Sequence, residues 1–110
     1  MNWKVEFYRG VDDSILYDWP VGMRAKFFWI VEKLRQHGPE NVGMPHVEAF
    51  GQGLFEIRAK GKEGIGRAFF CILQEKRLFV VSAFIKKTQK TPKNEIDVAI
   101  KRMKVIKSYE

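Results

Sequence analysis

Arg58, Arg67, Lys86 and Lys87 are spaced so that three short strands joined by tight turns would bring them to one spot on a sheet. Like charges directly across a ladder repel. A chain that gathers them is therefore expected to share the spot with a polyanion. Guanidinium and ammonium groups bind phosphate oxygens and stabilise developing negative charge. A lysine exchanges protons near neutral pH only where its surroundings depress its pKa, which neighbouring cations can do.

The elements that must place these residues can be read from alternation and turn residues. Strands are expected at roughly 54–60, 65–73 and 78–86, separated by Gly61-Lys62-Glu63-Gly64 and Gln74-Glu75-Lys76-Arg77, each read as a four-residue hairpin turn. Residue 60 then faces 65 and residue 73 faces 78. Arg58 thus faces Arg67, Arg67 also faces Phe84, and Lys86 flanks the same end. Alternation puts Phe55, Ile57, Ala59, Ala68, Phe70, Ile72, Phe79, Val81, Ala83 and Ile85 on an apolar floor for the helices. Glu56, Arg58, Lys60, Arg67, Ser82, Phe84 and Lys86 take the other face. Arg58 opposite Arg67 is either a phosphate site or a pair answered by Glu56 and other carboxylates; a register slip would part the two altogether. Phe84 is either a stacking platform for a nucleobase or a packed strand aromatic. The linker Lys86-Lys87-Thr88-Gln89-Lys90 offers lysines, a hydroxyl and an amide at a strand end, a set suited to wrapping a phosphate.

Upstream, Trp3-Lys4-Val5-Glu6-Phe7-Tyr8 alternates as a first strand ended by Gly10. Asp12-Asp13-Ser14 can cap a short helix that stops near Trp19, because Pro20 disfavours helical geometry in the residue before it. A helix follows over Val21–His37, with Ala25, Phe28, Val31, Phe27, Ile30 and Leu34 on one broad stripe and Gly38-Pro39 as its stop. Residues 38–53, rich in glycine and proline, are expected to be an irregular connection. Thr91-Pro92-Lys93-Asn94-Glu95 announces a last helix, continued by Ile96, Ala99, Ile100 and Met103, with Lys101, Arg102 and Lys104 opposite. The fold class is α+β: a strand and two helices, a three-stranded antiparallel meander, and a C-terminal helix, in one domain over residues 1–110.

Charge divides the chain. Residues 1–57 carry six Lys/Arg against eight Asp/Glu, and residues 58–110 carry fourteen against five, so the net +7 comes wholly from the second half. Such a field attracts nucleic acid or an acidic protein; lysines that merely keep the surface soluble are the alternative. No apolar run suits a membrane span, and Met1-Asn2-Trp3-Lys4 lacks the order of a secretion signal, so a cytoplasmic protein is expected. The single cysteine, Cys71, lies in an apolar run and reads as an inert buried thiol. His37 and His46, without cysteines or a matching carboxylate set, make a poor metal site, although His46 is a distant candidate for proton transfer. Gly61-Lys62-Glu63-Gly64 is not a phosphate loop. Trp3, Trp19 and Trp29 read as core or interface aromatics. No cofactor, metal or small-molecule ligand is expected.

At these residues the chain resembles the RelE/ParE superfamily of toxin–antitoxin toxins, and most nearly its HigB-type, phage-derived branch. The resemblance rests on Gly53-Leu54-Phe55-Glu56-Ile57-Arg58, on Gly66-Arg67-Ala68-Phe69-Phe70, on Ala83-Phe84-Ile85-Lys86-Lys87-Thr88-Gln89-Lys90-Thr91-Pro92, and on Ala99-Ile100-Lys101-Arg102. It implies helices on one face of a mainly antiparallel sheet. It also implies an mRNA endonuclease that works at the ribosome without metal and is silenced by an antitoxin, here of helix-turn-helix type. Arg58 and Arg67 match the positions that bind the scissile phosphate in related toxins. Lys86 or Lys87 matches a basic residue after the last strand. Lys60, Lys62, Lys90 and Lys93, with Phe84, would guide RNA. The chain departs from the pattern at Ile96, where some members have a proton-transferring tyrosine, and at Glu56, where they have a lysine. Two rivals share the resemblance: a gyrase-poisoning ParE-like toxin that needs no phosphate site, and a non-catalytic RNA-binding or protein-binding relic.

Overall fold

A computed structural model describes residues 2–86 and 90–110. The chain runs β1 (Lys4–Phe7), α1 (Val11–Asp18), α2 (Val21–His37), a 3-10 turn (Pro39–Asn41), β2 (Val47–Gly51), β3 (Leu54–Gly61), β4 (Gly64–Leu73), β5 (Arg77–Lys86) and α3 (Lys93–Lys107). Five strands form one sheet in the order β1-β5-β4-β3-β2. β1 lies parallel to β5, and the other neighbours are antiparallel. The α+β class and the element order agree with the sequence expectation.

Three features differ from it. Residues 38–53 are not irregular throughout: they hold the 3-10 turn and the edge strand β2, which returns into β3 through Gln52 and Gly53, both at positive φ. Both meander turns are tighter than four residues. Gly61 pairs with Gly64 around Lys62-Glu63, and Leu73 pairs with Arg77 around Gln74-Glu75-Lys76, in which Glu75 and Lys76 are left-handed. The β4/β5 register also shifts by one between Phe69 and Phe70, so Val81 is an extra residue on β5. Before the shift Ala68 faces Ala83 as expected; beyond it Ile72 faces Leu78. The bulge therefore carries Leu78 and Val80 to the floor and moves Phe79 and Val81 to the opposite face.

The floor packs against α1 and α2. Met23, Phe27, Ile30 and Leu34, spaced four, three and four apart, form the buried stripe of α2, flanked by the half-buried Phe28 and Val31, while Ala25 is exposed. They meet Ile57, Ala59, Ala68, Phe70, Leu78 and Val80. Trp19, where α1 stops, lies over Gly66, at which an added Cβ would stand 2.3 Å from the indole ring. Only glycine allows the ring that close to the strand.

The helices do not share one face, as the resemblance implied. α3 lies on the reverse of the sheet, where Ala99 and Met103 join Leu54, Phe69, Cys71, Leu73, Val81 and Phe84 in a second apolar cluster. Strand alternation explains it: Arg67, Phe69, Cys71 and Leu73 all project to that face, so it is polar at one end and apolar at the other. α3 covers the apolar end. Among the described residues no helix is long and apolar enough to cross a membrane.

Candidate functional site

The uncovered end of the reverse face carries the basic residues. Arg58 on β3 is the cross-strand partner of Arg67 on β4, and Arg67 is the partner of Phe84 on β5, as the spacing predicts. Lys86 pairs with Ile65, which pairs with Lys60, so five of the expected residues occupy adjoining positions on one face. Lys87 lies outside the described residues.

The two guanidinium groups do not form a common cradle. Arg67 is only 7 % exposed, and its Nη1 donates to Oε1 of Glu56 at 2.7 Å. Glu56 sits two residues before Arg58 on β3, opposite Phe69 and thus diagonal to Arg67, where a carboxylate and a guanidinium meet. This answers the like-charge conflict from within the protein. The pair is buried beside Phe69 and Phe84, the cross-strand partners of Glu56 and Arg67, and Oε2 of Glu56, Nε of Arg67 and Oγ of Ser82 have no hydrogen-bond partner among the described residues. Phe84, 8 % exposed, packs against Phe69 with ring centroids 5.8 Å apart. It belongs to the core and offers no open face to a base.

Arg58 remains accessible. Its nearest carboxylate, Glu48 on β2, stands at 4.0 Å, too far for a firm bond. Arg58 lines a cleft of about 480 Å³ together with Lys60, Ile65, Lys26, Pro45 and His46. The cleft exists because β2 begins only at Val47. Past that point the edge of β3 is flanked by the turn at residues 44–46, and the Arg58 amide donates to the His46 carbonyl at 2.9 Å. Lys26 reaches the same cleft from α2. Burial, and secondarily the charge of Lys26, hold the His46 imidazole below its usual pKa of 6.5. The ring is therefore neutral near pH 7 and able to accept a proton.

Lys86 is half-buried and sits in the field of the same cations. Burial foremost, then Arg67 and Arg58, push its ammonium below the usual lysine range, against an opposing pull from Glu56. Lys60 and Lys62 are exposed, Lys60 in the cleft and Lys62 at the hairpin tip. Lys90 and Lys93 line a separate shallow depression with Thr91, Pro92 and Ile96, at the start of α3. His46 and Lys26 join the site from a loop and from α2, and no spacing rule linked either to the strands. Among the described residues no group of three or more His, Cys, Asp or Glu side chains is placed to hold a metal ion.

A family model described as Phage derived protein Gp49-like (DUF891) matches residues 14–104, most of the chain. The chain belongs to this family. The Gp49-like proteins are a RelE-like toxin family. A search of curated proteins finds no match. The Gp49-like match runs from within α1 through most of α3 and so takes in the cleft, the buried Glu56–Arg67 pair and Lys86.

Proposed function

We propose that this Gp49-like chain is the toxin of a toxin–antitoxin pair and a metal-independent endoribonuclease that cuts messages on the ribosome. The observation that carries this reading is the cleft in which Arg58, Lys60 and Lys26 surround His46. Cleavage of RNA needs its own 2′-oxygen to attack the adjacent phosphorus in line while the bond to the 5′-oxygen breaks. Position and cationic stabilisation of the extra charge supply most of the acceleration. Arg58 holds the phosphate oxygens, with Lys60 and Lys26 adding to the local field. His46 takes the 2′-hydroxyl proton. Lys86, whose pKa is lowered beside Arg58 and Arg67, gives a proton to the departing 5′-oxygen. Arg67 acts from beneath, through its charge, while Glu56 holds it in place. Lys62, Lys90 and Lys93 steer RNA from further out.

One observation favours a second reading. With Arg67 buried and paired to Glu56, the site presents a single accessible guanidinium where the resemblance implied two. That would suit a chain that binds RNA, or a protein such as gyrase, and cuts nothing. Induced expression of the wild type and of Arg58→Ala, with transcript ends mapped in growing cells, tests the matter. Growth arrest with new ends inside translated messages for the wild type alone supports the nuclease; arrest with intact transcripts sinks it. A cognate antitoxin should abolish both the arrest and the cleavage.

A further inference from the structure

Trp29 is a large aromatic that the core does not use: it sits on α2 and is 45 % exposed. Lys26 lies one turn before it and Lys33 one turn after, and their ammonium groups stand 4.4 and 5.4 Å from the ring centroid. His46 meets the ring edge-on, with centroids 5.2 Å apart. Two of these neighbours, Lys26 and His46, also line the cleft that holds Arg58 and Lys60. An indole and two lysines on α2 thus continue the cationic cleft onto the helix surface. Glu32, the one carboxylate in α2, is occupied by Arg35 at 2.6 Å and by Gln36.

We infer that this strip of Lys26, Trp29 and Lys33 binds the single-stranded RNA flanking the phosphate in the cleft. Trp29 stacks a nucleobase and the two lysines hold the phosphates on either side. The inference rests on the proposed reading for its choice of RNA over other polyanions. Exposed cation–π contacts are weaker than base stacking, so a base can displace the ammonium groups from the ring, and they then turn to its phosphates. Stacking on an indole tolerates any base, so the strip would set affinity and the direction of the strand rather than sequence.

The test uses the whole protein and an eight-residue 2′-O-methyl oligoribonucleotide, which binds but cannot be cut. Binding should quench tryptophan emission in the wild type, and Trp29→Phe should lose most of that quenching while keeping most of the affinity. Trp29→Ala should bind about tenfold more weakly. Lys26→Ala/Lys33→Ala should reduce the magnitude of the slope of log affinity against log salt by about 1.4, the value for two phosphate contacts on a single strand. Unchanged thermal unfolding would show that the variants fold. Wild-type affinity and slope in both Trp29→Ala and the double variant overturn the inference and leave the strip to an acidic protein segment. Trp29-dependent binding by a protein that cuts no message keeps the inference and sinks the nuclease, whereas cutting with Trp29-independent binding does the reverse.

Discussion

Arg67 donates from Nη1 to Oε1 of Glu56 at 2.7 Å, and the two residues are 7 % and 5 % exposed. An ion pair so enclosed has given up most of its hydration, and its net contribution is small because attraction and desolvation nearly cancel. Breaking it is another matter, since the surviving charge stays buried without its partner. A loss of toxicity on changing Arg67 would therefore mix chemistry with folding.

Arg67→Ala should destabilise the fold by about 3–5 kcal/mol, a large part of a small domain's total. Glu56→Leu/Arg67→Met, which removes both charges and keeps the volume, should unfold close to or above the wild type. Urea denaturation of the three proteins measures this. A mild effect of Arg67→Ala would mean that the pair is open to water.

Arg58→Ala should behave in the opposite way. Its ion pair with Glu48 is stretched to 4.0 Å, so stability should change by less than about 1 kcal/mol. RNA cleavage, if Arg58 stabilises the transition state, should fall by about 10²–10³. Unfolding curves and cleavage rates on a message being translated by ribosomes separate the two effects.

Much of this arrangement could be read from the chain. The bounds of α2 are legible to the residue because its apolar stripe runs to Leu34 and Gly38 stops it, its amide capping the helix on the Leu34 carbonyl. The opposition of Arg67 and Phe84 survives because the bulge at Val81 offsets a β4–β5 turn one residue tighter than expected, whereas that of Arg58 and Arg67 followed from hairpin register alone. The side of the sheet that α3 takes did not. Its clue was that Phe69, Cys71 and Leu73 alternate in phase with Arg67, so the face reserved for a site had an apolar end needing cover. β2 escaped because a five-residue edge strand with only Val47 buried has almost no pattern. The bulge at Val81 lies within an unbroken apolar run, where both registers look alike. His46 and Lys26 enter the cleft through tertiary packing, which no local spacing encodes.

The contact of Trp19 with Gly66 gives a test of the fold independent of function. Gly66→Ala would put a methyl 2.3 Å from the indole ring in the middle of β4. Neither the strand nor the buried ring can yield by that much. The variant should lose about 3 kcal/mol or more, lowering Tm by roughly 10 °C or more. Near-wild-type melting would mean that the ring does not lie on the strand.

Cys71 reports on the same core. It is buried, and burial pushes its thiol above the usual cysteine range, so little thiolate forms at neutral pH. Alkylation by iodoacetamide should proceed only as fast as the domain opens and should rise steeply across the unfolding transition. Rapid labelling in native buffer would place the thiol at the surface.

The pH dependence of cleavage should expose the proton-transfer pair. His46 must be neutral to accept a proton, and its pKa is lowered by burial and Lys26, so activity should climb through a value below 6.5 as pH rises. Lys86 must be charged to donate one, and its pKa is lowered by burial and by Arg67 and Arg58, so activity should fall again at a value below 10.5. His46→Gln should depress the plateau and erase the acidic limb while leaving the alkaline one. Lys86→Gln should do the converse. Stability adds to the acidic limb with the same sign: the unfolded chain protonates His46 at a higher pH than the folded one, so folding weakens as pH falls through 6.5. Unfolding curves at each pH isolate that contribution. If His46→Gln keeps the wild-type acidic limb after this correction, the imidazole takes no proton, and another base works in the cleft.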